Sequence, residues 1–244
     1  MRSDQGRDWF RGCGLLATYD SLTLLIADRP CADSYIERAK LYWVRPNFEL
    51  MMSDAESALR VEPREEKAII FRSYVATFQE EGGAQKRIPK EVAAASTLDA
   101  DSHYFLAVTL ALQGDLRESY HHAIEAQRMG LHGPIKADAF HLCGGIEEEL
   151  GRYDQSIQSF EEAILHYPLI RGFEWFEWDA GECRFGQSRV CIASKDYERA
   201  LHSAEAWYED SNGTEDARIY FARILATCDL PPFFVPGVMR VWVG

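Results

Sequence analysis

Residues Gly151–Pro168 read GRYDQSIQSFEEAILHYP, an amphipathic run in which Ser156, Phe160 and Ala163 share one face and a proline closes the helix. Small residues on a helix face let a second helix approach closely, and a single aromatic then fills the remaining gap. The segment therefore reads as half of a helix pair. Its partner precedes it: from Ala137 the chain runs ADAFHLCGGIEEEL up to the break at Gly151, with Phe140, Cys143, Gly144 and Ile146 on one face. If Phe160 is fully buried in this pair, its replacement by alanine is expected to cost ~3–5 kcal/mol. A helix pair with one apolar side needs neighbours to cover it, so the next question is whether the pattern recurs.

It does. Counting from Ala137 as place 1, a large residue stands at place 4 (Phe140), small ones at 8 (Gly144) and 20 (Ser156), glycine at 15 (Gly151), an aromatic at 24 (Phe160), alanine at 27 (Ala163) and proline at 32 (Pro168). This arrangement resembles the tetratricopeptide repeat, with Glu147 departing from it where the family usually has an aromatic. A second copy starts at Ala32, with Tyr35, Ala39, Phe48, Ala55, Ala58 and Pro63 in register and Pro46 in place of the turn glycine. A third starts at Glu66, with Ile69, Ser73 and Ala76, a loosened turn EEGGAQKRIP, and a second helix expected to carry Ile88, Val92 and Ala95. A fourth runs from Ala100 through Ala107, Gly114, Ser119, Ala123 and Ala126, where Gly130 and Gly133 can supply the helix stop. After Pro168 comes an aromatic insert. Ser188, Tyr197, Ala200, Ala204 and Trp207 then mark another copy, and TEDARIYFARILATC supplies a last first helix around Ala222.

The resemblance implies an all-α fold, a right-handed α-solenoid of stacked antiparallel helix pairs over residues 32–228, in about five and a half repeats. Residues 1–31 are an N-terminal segment that reads as a degenerate repeat ending at YDSLTLLIADRP, and 229–244 an irregular tail that either caps the array or is an altered chain end.

In the family, places 2, 5, 9, 12 and 13 of the first helices line a concave groove. The resemblance therefore implies a partner-binding set here: Lys40, Trp43, Tyr74, Phe78, Asp101, Tyr104, Asp138, His141, Glu148, Glu182, Phe185 and Arg189. Acids recur at place 2 as Asp33, Asp101, Asp138, Glu182 and Asp216, with Lys67 the exception. Acids near a helix start complement its dipole without any ligand; the same row would also steer a Lys- or Arg-bearing peptide into the groove. The aromatics Tyr74, Phe78, Tyr104 and Phe185 read either as helix packing or as a binding hot spot. The carboxylate clamp used by some members needs groove asparagines, and Asn47 and Asn212 stand at no groove place. The insert 171–180, RGFEWFEWDA, offers Trp175 and Trp178 as a secondary partner-binding candidate, or else extends and packs the next helix.

Composition narrows the function classes. Among 244 residues the net charge is -13, which disfavours nucleic acid and anionic membranes and favours a basic or neutral polypeptide partner. The 6 cysteines form no C-x-x-C pair, so no metal is expected, and they read as buried or half-buried reduced thiols. The N-terminus lacks the apolar core of a signal peptide and no run is long enough to span a membrane, so a cytoplasmic protein with no membrane insertion is expected. His121 and His122 are adjacent and diverge on a helix, while His103 and His141 stand alone in sequence. No phosphate loop, nucleophile elbow or H-E-x-x-H motif occurs. The expected function is a protein-interaction module or scaffold holding a peptide or helix, without catalysis or cofactor. The alternatives are an adaptor or co-chaperone that contacts a folded partner through the insert, and a regulatory subunit or enzyme whose site is assembled from scattered residues.

Overall fold

The computed structural model describes residues 16–42, 47–78, 88–93, 98–167, 180–210 and 214–227. Every regular element among them is a helix. In order these are α1 (Leu16–Asp28), α2 (Ala32–Leu41), α3 (Phe48–Val61), α4 (Glu66–Phe78), α5 (Lys90–Ala93), α6 (Ala100–Leu112), α7 (Leu116–Met129), α8 (Gly133–Glu149), α9 (Tyr153–His166), α10 (Ala180–Ala193), α11 (Tyr197–Asp210) and α12 (Glu215–Thr227). They belong to two compact units, the first holding the described residues up to Leu131 and the second those from His132 onward. Within the first, α2 pairs with α3 and α6 with α7, α4 packs between these pairs, and α1 lies on α2. Within the second, α8 pairs with α9 and α10 with α11, α9 packs on α10, and α12 packs on α11.

The turns inside three helix pairs are built alike. Gly114, Gly151 and Lys195 occupy the same place of the repeat and all take left-handed backbone, with φ of 86°, 70° and 65°. In each, the following residue's N–H reaches back to the last helical turn: Asp115 to Leu110 (2.9 Å), Arg152 to Glu147 (2.8 Å) and Asp196 to Cys191 (2.8 Å). This closes the C-terminal carbonyls of the helix, and glycine is suited to it because it lacks the Cβ that crowds that conformation. Helix starts are capped where the sequence offers an acceptor: Asn47 takes the N–H of Leu50 (3.1 Å) and Asp99 that of Ser102 (2.8 Å).

Between Leu131 and Ala137 the chain departs from expectation. Gly130 ends α7 with φ 96°, as a helix stop should. Gly133 instead begins α8, because Pro134 in the first turn is preset for helix and needs no hydrogen-bond donor. Of the second helix of the third copy, the described residues include the four of α5, with Ile88 half-buried just before it and Val92 buried within it; Ala95 lies outside the described residues.

The core of the second unit is the face read from the sequence. Ser156, Phe160 and Ala163 are 0%, 1% and 0% exposed. Phe160 sits between two glycines on different helices: a Cβ on Gly144 of α8 would lie 2.9 Å from its ring, and one on Gly186 of α10 2.6 Å. The hydroxyl of Ser156 donates to the carbonyl of Gly144 (2.7 Å), and Ser119 donates to Ala107 in the same way in the first unit (2.7 Å). The acidic departure at Glu147 is accommodated because Ser159 donates to its carboxylate (2.6 Å) while the residue stays buried.

The first unit is held differently. Arg38 on α2 makes two bonds to Asp54 on α3, at 2.8 and 2.6 Å, with side chains only 17% and 6% exposed. Burial pushes the Asp54 carboxyl up, against the pull of that guanidinium. In the same unit, Phe71 and Phe105 meet edge to face at 4.9 Å and Tyr74 packs on Phe105 at 4.8 Å.

Of the cysteines, Cys143, Cys183 and Cys191 are buried free thiols as expected, and burial pushes Cys191 up to about 11. Cys31 corrects that expectation: it is exposed just before α2, its sulfur 2.8 Å from the Ser34 hydroxyl, so its thiol finds a polar partner at the helix start rather than a place in the core.

Candidate functional site

In the first unit the candidate groove residues are engaged with one another. Lys40 on α2 reaches Asp101 on α6 (2.9 Å) as well as Glu37 (2.9 Å), and its side chain is only 11% exposed. Burial would lower the Lys40 ammonium, but Glu37, Asp101 and Asp99 overcome that and raise it. Lys67 on α4 pairs with Asp99 (3.1 Å). Burial works against the Asp99 carboxylate, yet the bond from Ser102 and the nearby Lys40 and Lys67 hold it at about 2. Lys40 on α2 thus reaches across to α6, and Asp99 and Asp101 are already answered by lysines.

The aromatics follow the same division between buried and exposed. Tyr74 and Tyr104 are each 5% exposed, packed with Phe105. Phe78, at 40%, stacks on Phe48 at 5.3 Å and meets Tyr74 at 5.1 Å. Trp43 lies outside the described residues, as do Trp175 and Trp178 of the insert.

In the second unit Arg189 is exposed, Asp138 is buried and the other candidates are half-buried. Arg189 on α10 forms an ion pair with Glu148 on α8, and its guanidinium lies 5.4 Å from the Phe185 ring. Phe185 is half-buried and completes a cluster with Tyr220 (4.6 Å) and Trp207 (5.0 Å) from α12 and α11. Glu182, one turn before Phe185, is half-buried. His141 meets Phe160 edge to face at 5.6 Å; burial, with the positive charge of Arg189, lowers it to about 4, so it is neutral at pH 7. Asp138 is buried rather than at a rim, accepting the hydroxyl of Tyr167. Glu148, His141, Phe185 and Arg189 are therefore brought together across α8 and α10.

The fold also joins two histidines that look isolated in sequence. The Nδ1 atoms of His103 on α6 and His122 on α7 are 2.9 Å apart, so one ring donates and the other accepts. Burial, then the neighbouring His103 and His121, lowers His122 to about 4, and burial lowers His103 as well. The two stand 19 residues apart, the separation of places 4 and 23, and that register was the available signal. Among the described residues no group of three or more His, Cys, Asp or Glu could hold a metal ion. Nor is any described helix long and apolar enough to cross a membrane.

No family model and no curated protein matches the sequence. Solved structures do resemble it. YrrB, described as a TPR protein with an unusual peptide-binding site, aligns over 84% of this chain and 99% of its own at 14% identity and a TM-score of 0.57. PilF of Pseudomonas aeruginosa aligns over 81% of this chain and 87% of its own at 16% identity and a TM-score of 0.57. In the Cut9–Hcn1 hetero-tetramer of the APC/C, a chain aligns over 87% of this one at 13% identity and a TM-score of 0.66, but this chain spans only 40% of it. At such identities the likeness shows the fold, and the fold is that of the tetratricopeptide solenoids.

Proposed function

We propose that the chain is a protein-interaction module, taking a peptide or helix of a partner against the face formed by the first helices of its repeats, in an array spanning residues 32–228. The observation that carries this reading is the second unit's surface on α8 and α10. There Glu148, His141, Phe185 and Arg189 combine an exposed ion pair, a neutral imidazole and a half-buried ring. Aromatic and arginine side chains of this kind are the groups that dominate binding energy at protein interfaces. The fold adds support, since a stack of helix pairs leaves one side of its first helices uncovered, and YrrB, which shares it, has a peptide-binding site. We assign no catalytic role and no cofactor.

A basic partner fits the net charge of -13 better than it fits the first unit, whose lysines already answer Asp99 and Asp101. Affinity capture from native extract, comparing the parent with Arg189→Glu, tests the reading. Arg189 is exposed, so circular dichroism should show the variant folded, and partners held at this face should be lost. An unchanged set of captured partners overturns the assignment to this face, and Trp175→Ala then asks whether the insert holds them instead.

A further inference from the structure

We infer that the second unit carries a separate carboxylate-binding pocket, between α9, α10 and α11, that accepts an acidic peptide segment with an aliphatic side chain beside its carboxylate. A cavity of about 390 Å³ opens there, toward the small end of the ~300–1,000 Å³ range of ligand sites. On α10, Glu182, Phe185 and Arg189 fall at helical spacing on one face, whereas Arg184 and Gln187 project from roughly the opposite one. Two of the three walls are second helices of their pairs, so this pocket does not depend on the first-helix face.

Its chemistry is divided. Ile164 and Leu165 of α9 supply an apolar wall, and Leu165 is 74% exposed. Arg184 of α10 and Arg199 of α11 are its basic residues, and among the described residues Glu161 is its acidic one. Arg199 and Glu161 are 3.9 Å apart and each 49% exposed, a contact that exchanges readily for an incoming carboxylate.

The base of the cavity is polar, as the same place is in the first two copies, where Arg38 and Arg72 hold it, and unlike the two copies that directly precede it. Gln187 occupies the place held by Leu106 and Cys143 in the two preceding copies, all three being buried. Its carbonyl accepts the hydroxyl of Ser203 (2.8 Å), and its amide donates to Glu161 (3.2 Å). An amide nitrogen carries two hydrogens, and Glu161 takes one. A buried amide costs desolvation that a leucine or cysteine at the same place avoids. A ligand carboxylate seated between Gln187 and Arg199, with its neighbour's aliphatic chain on Leu165, uses each of these features.

The test is an NMR titration of the full 15N-labelled chain with N-acetyl-leucyl-glutamate whose α-carboxyl is blocked as the methyl ester, and with the neutral N-acetyl-leucyl-glutamine methyl ester as comparison. The expected result is saturable shifts at the Gln187 side-chain amide and the Arg199 Nε–H with the acid, and roughly tenfold weaker binding of the amide. Arg199→Gln, an exposed change whose folding is checked by circular dichroism, should weaken the acid by a similar factor. Arg189→Gln should leave it unchanged, which separates this pocket from the first-helix face. Equal response to both dipeptides, no saturation with the acid, or full binding to Arg199→Gln overturns the proposal.

Discussion

The two units use one repeat and hold it together by different means. In the first, Arg38 and Asp54 bridge α2 to α3 and Lys40 extends to Asp101. In the second, an apolar ring enters a space kept by Gly144 and Gly186, and the charged residues Glu148 and Arg189 are left toward the surface. Place 5 shows the same contrast: Ile36, Ile70 and Tyr104 are 2%, 0% and 5% exposed, but Ile219 is 45% exposed and Phe185 half-buried. The lesson is that a repeat register fixes which side chains face a neighbour without fixing whether they are covered. Coverage depends on which elements pack over each helix.

The largest effect should come from emptying the second unit's core. Phe160→Ala is expected to cost ~3–5 kcal/mol, with loss of hydrogen-exchange protection centred on α8, α9 and α10. In the first unit, Asp54→Ala leaves the Arg38 guanidinium buried without its carboxylate and should cost about 3 kcal/mol or more, with lost protection centred on α2 and α3. If Asp54→Ala instead exposes α8–α10, the two units do not hold themselves separately and the contrast fails. Replacing both Arg38 and Asp54 by apolar residues should recover much of that loss, because the desolvation cost goes with the charges.

Adding volume sharpens the comparison from the other side. Gly186→Ala puts a methyl 2.6 Å from the Phe160 ring and should destabilise by ~1–3 kcal/mol, read as a lowered midpoint in urea. Combined with Phe160→Leu it should cost less than the sum of the two changes, since the shorter side chain leaves room for the methyl.

Acid should act on both units through buried histidines. His122 and His141 are each lowered to about 4 in the folded chain, against 6.5 in the unfolded one. Between those values the unfolded chain binds more protons, so their contribution favours folding fully above pH 6.5 and falls as pH drops toward 4. Thermal melts between pH 7 and 4.5 should show this loss, and His122→Phe should flatten part of it. The smallest effect has the opposite sign. Lys195 holds φ 65° where two other pairs have Gly114 and Gly151, and Lys195→Gly should raise stability by up to about 1 kcal/mol, visible as a higher melting temperature.

The helix pairs, their turns and the buried face Ser156–Phe160–Ala163 were legible because they repeat a local rule: a small residue wherever two backbones cross, and glycine where the turn becomes left-handed. Arg38 with Asp54, His103 with His122 and Gly186 against Phe160 were not read. Each joins residues whose types carry no mark of pairing, and only the approach of particular helices brings them together. The candidate binding residues divide within each unit for the same reason: Tyr74, Tyr104 and Asp138 are buried and Lys40 is nearly so, while Phe78 and Arg189 are exposed and Asp101, Glu148 and Phe185 are half-buried.

The sequence by itself therefore determined the all-helical repeat, because 3.6-residue periodicity and the placing of glycine and small residues are local constraints that each copy carries complete. Only the tertiary structure decided which charges are satisfied inside the molecule and where a polar cavity opens among α9, α10 and α11. Those depend on distances between residues many positions apart, and helix packing sets such distances through the summed volumes of side chains rather than through any one motif.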